Sequence, residues 1–191
     1  FRAWLCLSPL LIYSPNLLAK DSATIFGLYA YNDAVPTAEQ VLGHSLGTDI
    51  NWTADARRYF EALQDFAPQN VRIVDYGSSW EGRTLFYVVL SSEKNIARLA
   101  DIKNNMQQLA DPRQLSESQA QKLIESTPAV TWLSYSVHGN EISSTEAAMA
   151  TAYHLLASTN DPVAKAAMEE TVTVLVPVQN PDGRDRFVHH F

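Results

Sequence analysis

A histidine and a glutamate three residues apart, His138 and Glu141 in the run HGNE, have the chemistry of metal ligands. At this spacing, on a turn between a strand and a helix, a neutral imidazole and a carboxylate can face one ion, and Gly139 relaxes the backbone between them. Zinc binds histidine nitrogen at about 2.0 to 2.1 Å and carboxylate oxygen at about 2.0 to 2.2 Å, and a catalytic zinc adds a third protein ligand and a water. The pair therefore predicts two ligands of a metal site whose third ligand is still to be identified.

Each of these two residues also has a more ordinary interpretation. His138 could be a hydrogen-bonded histidine at a strand end, and Glu141 could be a glutamate favoured by the dipole of a first helical turn.

A second polar cluster, NPDGRDR at 180–186, follows the last clear strand pattern. Its first four residues also make a good turn on conformational grounds alone. In open α/β sheets, ligands gather beyond the carboxyl ends of the strands, and both clusters occupy such positions. The two clusters are therefore the candidates for a functional site.

Hydrophobic periodicity and turn residues predict the elements that must position these clusters. The predicted helices cover 53–67, with Thr53 capping the first turn, then 96–109, 116–126, a segment capped by Ser143 or Ser144, and 162–170. The predicted strands cover 71–77, 83–92, 129–137 and 171–178.

Three details of this prediction bear on the site. The first two strands flank the turn-forming run GSSWEG and are predicted to form a hairpin. The strand at 129–137 is so apolar that we expect a central strand, largely covered on both faces. Glu146, three residues after Ser143, is expected to complete a capping box.

Alternating strands and helices predict an α/β fold, a three-layer α/β/α sandwich around a mixed, partly parallel sheet. We divide the chain into an incomplete signal peptide at 1–19, an irregular lead-in at 20–50 and part of a catalytic domain at 51–191.

The segment 1–19 is apolar but interrupted by two Ser-Pro pairs, and it resembles a secretory signal peptide that has lost its start. It is too short and broken to span a bilayer. The single cysteine, Cys6, lies inside it, so the mature chain would contain none. These features predict a secreted or periplasmic protein without a membrane span.

Composition excludes one large class of partners. The chain has 14 basic and 21 acidic residues, with a formal net charge of -7, and 46% of its 191 residues are hydrophobic. This charge repels the phosphate backbone, so nucleic acid is not expected as a partner.

Three runs in this order resemble the amino-terminal half of a zinc carboxypeptidase of the carboxypeptidase A type: YGSSWEGRTLFYVVLSS, HGNEISSTEAAMATAYHLL and VPVQNPDGR. The resemblance covers about 51–191 and implies a metallocarboxypeptidase that hydrolyses carboxy-terminal peptide bonds by metal-activated water. It implies one zinc per complete domain, held by His138 and Glu141, and a peptide or protein substrate. It also implies that Arg83, in the EGR element, helps bind the substrate near the scissile bond.

The resemblance also implies that important residues of the site are not in this sequence. The family's third zinc ligand and its glutamate general base are expected beyond Phe191, so the 191 residues are expected to be inactive alone. Arg184 and Arg186 follow Gly183 too closely to match the family's later arginines.

Several alternatives stay open. Arg83 could simply pair with Glu81 or Asp75, and His189 or His190, expected in a loop, could supply an early third ligand. His44 and His154 have no metal-spaced partner and are expected at the surface or in helix packing. The whole protein could instead be a zinc deacylase of N-acyl amino acids, or an inactive peptidase-like binding module.

Overall fold

The computed structural model describes residues 29–191, in which eight helices accompany four strands. The helices are α1 (Ala38–Leu42), α2 (Thr53–Phe66), α3 (Glu93–Ala97), α4 (Leu99–Ala110), α5 (Glu117–Ser126), α6 (Ile142–Ala157), α7 (Pro162–Glu170) and α8 (Pro181–His189). The strands are β1 (Val71–Ser78), β2 (Thr84–Leu90), β3 (Ala129–Ser134) and β4 (Thr171–Val176). The predicted signal peptide at 1–19 lies outside the described residues, and α1 lies within the predicted lead-in.

The sheet has the strand order β1-β2-β4-β3. β1 and β2 form the predicted antiparallel hairpin, β2 is antiparallel to β4, and β3 is parallel to β4. Because of these directions, β2 begins at the edge of the sheet where β3 and β4 end. That edge therefore receives the EGR, HGNE and NPDGR runs together.

Alternate residues of the inner strands point to opposite faces of the sheet, and helices cover both faces. Val88, Leu90 and Leu175 belong to the core shared with α2 and α6. Val89 and Val174 pack on the other side with residues of α3 and α4. The predicted three-layer α/β/α arrangement around a mixed sheet is confirmed.

Helix α2 shows how the sequence pattern produces the main core. Ala56, Tyr59, Phe60 and Leu63 recur at intervals of three and four and are completely buried. The expectation that Thr53 caps α2 is wrong, since Thr53 is the first helical residue.

The position of β3 corrects a second expectation. Among residues 29–191, β3 pairs only with β4 and is an edge strand, with Trp132 59% and Val130 38% exposed. An apolar run indicates that a strand is suited to burial. The place of the strand in the sheet depends instead on its pairing with distant segments. The strand also ends at Ser134, and an irregular turn carries the chain to α6.

Two expected helices differ from the structure in their boundaries, and one helix, α8, was not expected. Helix α6 begins at Ile142 with Glu141 as its N-cap residue, so neither Ser143 nor Ser144 caps it. The helix expected at 96–109 is divided into α3 and α4 at Arg98. NPDG forms the first turn of α8, and this helix includes His189, expected in a loop.

No helix among residues 29–191 combines the length and apolar character needed to cross a membrane.

Candidate metal and substrate site

The two predicted metal ligands lie side by side on the turn after β3. The His138 Nδ1 and Glu141 Oε1 atoms are 3.1 Å apart. The side chains are 71% and 51% exposed, respectively, so both are open to an incoming ion. Two ligand atoms of a tetrahedral zinc ion are about 3.3 Å apart at usual zinc–ligand lengths. The two side chains thus lie within hydrogen-bond distance of each other, and their separation is also close to that of two ligands of one zinc ion.

Backbone hydrogen bonds attach the chain before His138 to the segment after β4. The Gln179 N–H donates to the Tyr135 carbonyl at 3.0 Å, and the Asn180 N–H donates to the Ser136 carbonyl at 3.1 Å. Ser136 has a φ of 51°, in the left-handed region that favours glycine, and is buried. This conformation turns the chain away from β3 and towards His138.

Gly139 is needed for close approach rather than for backbone freedom. A Cβ atom at this position would lie 2.0 Å from the carbonyl carbon of Gly183 and 2.4 Å from the Arg184 nitrogen. The HGNE turn thus rests directly on the backbone of the first turn of α8. The sequence indicated a glycine that relaxes the turn, and the structure corrects this to a glycine that leaves space.

Asn180 connects the two motifs through its side chain. Its Oδ1 atom accepts from the Gly183 N–H at 2.8 Å and so caps α8, and its Nδ2 donates to the Val137 carbonyl at 3.3 Å. One amide therefore stabilises the start of α8 and holds the residue before His138.

Arg83 lies where β2 begins and contacts carboxylates of α8. Its Nε donates to Asp185 at 2.7 Å, and its Nη1 donates to Asp182 at 2.8 Å and to Glu81 at 2.5 Å. Hydrogen bonds with these three carboxylates, Glu81 first, raise the pKa of Arg83, which stays charged. Asp75, the other partner considered, pairs with Arg57.

Asp182 joins the hairpin turn to α8 as well. It accepts from the Ser79 hydroxyl at 2.6 Å and from the Glu81 N–H at 3.1 Å. Hydrogen bonds from Ser79 and then Arg83 hold the pKa of Asp182 below its usual value. The EGR element is therefore fastened to NPDGR by a network of charges.

Arg184 has a fully buried side chain, which the sequence did not indicate. Its Nε donates to the Asn51 carbonyl at 3.1 Å, its Nη1 to the Ile142 carbonyl at 2.8 Å and its Nη2 to Glu146 Oε1 at 3.2 Å. Glu146, expected in a capping box, is its counter-charge. Burial raises the pKa of Glu146 and lowers the pKa of Arg184.

Comparison with known protein families decides what these motifs belong to. The family model described as zinc carboxypeptidase matches residues 56–189, which is more than half of the chain. The chain belongs to the zinc carboxypeptidase family. Members of this family are zinc-dependent hydrolases, so the resemblance seen in the three motifs is confirmed.

Solved structures of carboxypeptidases and a related protein are similar to parts of this chain. Thrombin activatable fibrinolysis inhibitor is similar at a TM-score of 0.50 and 15% identity, over 73% of this chain and 27% of that one. Carboxypeptidase A from Helicoverpa armigera has a TM-score of 0.48 and 21% identity, over 77% of this chain and 31% of that one. A metallo-carboxypeptidase from Burkholderia cenocepacia has a TM-score of 0.44 and 18% identity, over 69% of this chain and 28% of that one. The chain thus spans about a third or less of these structures. Curated proteins gave no significant match.

The zinc carboxypeptidase motifs meet at one edge, but the described part of the chain does not assemble a complete ligand set. Within residues 29–191, no three His, Cys, Asp or Glu side chains are grouped as metal ligands. His189 ends α8 and His190 follows it, while His154 lies in α6 between Tyr31 and Asp161. His44 lies beside the Ser45 carbonyl.

Proposed function

We propose that this chain contributes to a zinc-dependent carboxypeptidase that hydrolyses carboxy-terminal peptide bonds, with His138 and Glu141 as two ligands of its zinc. The observation that carries this proposal is the separation of 3.1 Å between His138 Nδ1 and Glu141 Oε1 on an exposed turn. Family membership supports the assignment of zinc and of a hydrolytic reaction.

Zinc bound at this site would supply a Lewis acid and lower the pKa of a water. The chain's own residues provide a neutral imidazole nitrogen and a carboxylate, held at the end of β3. We place the third ligand and the general base outside residues 29–191. The 191 residues alone are therefore expected to bind zinc weakly and to release no amino acids.

Arg83 remains a proposed substrate-binding residue of the complete protein. Its contacts with Glu81, Asp182 and Asp185 support a second role, holding α8 against the hairpin. Arg83→Lys keeps the positive charge among these carboxylates but loses the planar fork. An unchanged melting temperature with kcat/KM lowered about tenfold would favour substrate contact. A fall in both the melting temperature and kcat/KM would favour the positioning role.

We further propose a peptide or protein substrate and a secreted or periplasmic location. The location is supported by the interrupted apolar segment at 1–19 and by the lack of cysteine in the rest of the chain. Recovery of the protein only from the cytoplasm would contradict the location. Amino-terminal sequencing of protein recovered outside the cytoplasm tests the removal of 1–19, and an intact Phe1 would contradict that removal.

The proposed activity is tested on the full-length protein by measuring its zinc content together with the release of carboxy-terminal amino acids from peptides. His138→Ala should abolish both, and His44→Ala is the matched control that should leave both unchanged. The same two measurements on the 191-residue chain should give little zinc and no release. N-acyl amino acids offered as substrates separate a deacylase from a peptidase. Peptide release without zinc, or full zinc in His138→Ala, would contradict the proposal.

A further inference from the structure

Three residues of the first turn of α8 each hold a backbone group beside a proposed zinc ligand. Asn180 Nδ2 donates to the carbonyl of Val137, which precedes His138. The Gly183 backbone lies against Gly139, which follows His138. Arg184 Nη1 donates to the carbonyl of Ile142, which follows Glu141. We name Asn180, Gly183 and Arg184 the α8 clamp.

Arg184 is the member of the α8 clamp that reaches furthest. Its guanidinium joins three segments that are distant in the chain: Asn51 in the loop ahead of α2, the first turn of α6, and α8 itself. The Ile142 carbonyl and the Glu146 side chain are four residues apart and therefore lie on one face of α6. Arg184 holds that face at the first turn of α6, which follows the N-cap residue Glu141.

The Glu141 backbone is held within its own turn, since its N–H donates to the His138 carbonyl at 3.2 Å and its carbonyl accepts from the Ser144 N–H at 3.1 Å. Glu141 needs external support for the direction of its side chain. As the N-cap residue of α6 it makes no side-chain hydrogen bond to the helix, and its carboxylate is half exposed beside His138. The direction of that carboxylate is then set by where the first turn of α6 lies. Arg184 is one of the residues that hold this turn. Asn51 is another, since its Nδ2 and its backbone N–H donate to the Glu146 carboxylate at 2.7 Å and 3.3 Å.

We propose that Arg184 is a positioning residue for the zinc ligands, holding the His138–Glu141 turn in a metal-binding geometry through Ile142 and Glu146. This inference rests on the proposed function for the identity of the metal. Groups that orient metal ligands usually change metal affinity by 10- to 100-fold when they are removed. An arginine fits this task because its rigid fork can serve several acceptors at once, whereas lysine offers a single nitrogen.

The decisive variant replaces the buried ion pair as a unit. Arg184→Met together with Glu146→Met removes both charges and keeps apolar volume, an exchange that often preserves or increases stability. Arg184→Lys is the second variant, since it keeps the charge opposite Glu146 but cannot reach all three acceptors. Arg113→Met is the matched control, because Arg113 is an exposed arginine that pairs with Asp111 beside a 3₁₀ turn.

Two readouts on the full-length protein test the inference: the dissociation constant for zinc, from competition with a chelator, and amide hydrogen exchange at 137–142 in the metal-free protein. We expect both folded variants to bind zinc at least tenfold more weakly and to exchange faster at 137–142, with Arg113→Met unchanged. A folded variant with wild-type zinc affinity and wild-type amide exchange would overturn the inference. If one of the two variants does not fold, the other is enough for the test. A wild-type protein that binds no zinc would refute the proposed function, while exchange at 137–142 would still decide whether Arg184 positions the turn.

Discussion

At the scale of single residues, Gly139 has no room for a side chain. A methyl group there would meet the Gly183 carbonyl carbon at 2.0 Å, and the Asn180 cap holds Gly183 in place. We expect Gly139→Ala to displace the HGNE turn, to cost on the order of 1 to 3 kcal/mol of unfolding free energy and to weaken zinc binding. Urea unfolding and chelator competition measure the two effects. Asn140→Ala, an exposed change in the same turn, is the control, and equal results for both variants would refute the steric argument.

Ser136 stores strain two residues before His138. Its φ is 51°, and its buried hydroxyl has no hydrogen-bond partner among the described residues. Ser136→Gly removes both penalties, and we expect a gain on the order of 1 kcal/mol in unfolding free energy.

Ser134→Gly provides the comparison of opposite sign. This residue lies in extended β3, where glycine weakens a strand by about 0.5 to 1 kcal/mol. Thermal unfolding of both variants measures the difference, and a loss of stability in Ser136→Gly would show that the serine is not strained.

At the scale of elements, the charges between the β1–β2 turn and α8 predict an acid sensitivity. Hydrogen bonds from Ser79 and Arg83 lower the pKa of Asp182 in the folded protein. A carboxyl group with a lowered folded pKa stabilises the protein above its unfolded pKa, about 3.9 for aspartate, and loses that contribution as pH falls through the folded value.

We therefore expect the melting temperature to fall between pH 5 and pH 2, and to fall less in Asp182→Asn. The variant should be less stable than wild type at pH 6, where the ionised carboxylate contributes fully. Ser79→Ala, which removes a hydrogen bond to the same carboxylate, should act in the same direction. Identical pH profiles for wild type and Asp182→Asn would exclude this network as a source of acid sensitivity.

At the scale of the whole molecule, one region of the sheet is left uncovered by residues 29–191. Three aromatic rings form a row across the sheet, in which Tyr87 contacts Tyr76 on one side and Trp132 on the other. Together with Val137 they line an open cavity of about 540 Å³. Beside it β3 presents an unpaired edge among the described residues. Apolar faces and free edges of this kind favour association.

We expect the 191-residue chain alone to self-associate at micromolar concentration and to bind a hydrophobic dye, and Trp132→Lys to reduce both. Trp80→Lys is the matched control, because Trp80 is 99% exposed at the hairpin turn and is not one of the residues that line this cavity. Size-exclusion chromatography and dye fluorescence measure the effect. An equal reduction by both substitutions would mean that general surface charge, and not this face, controls association.

The sequence by itself determined the features that depend on neighbouring residues. Helix α2, the β1–β2 hairpin and α7 follow from apolar spacing and turn residues within a few positions. The meeting of His138 and Glu141 is equally local, because three residues on one turn separate them. The family motifs were recognisable for the same reason, since each is a short continuous run.

Only the tertiary structure decided which distant segments meet. Arg184 and Glu146 are 38 positions apart, and a charged residue is expected at the surface unless a partner buried with it is known. The space at Gly139 depends on the approach of Gly183, and the edge position of β3 depends on its pairing with β4. Local patterns carry no information on such contacts, because burial and strand order result from the packing of the whole chain.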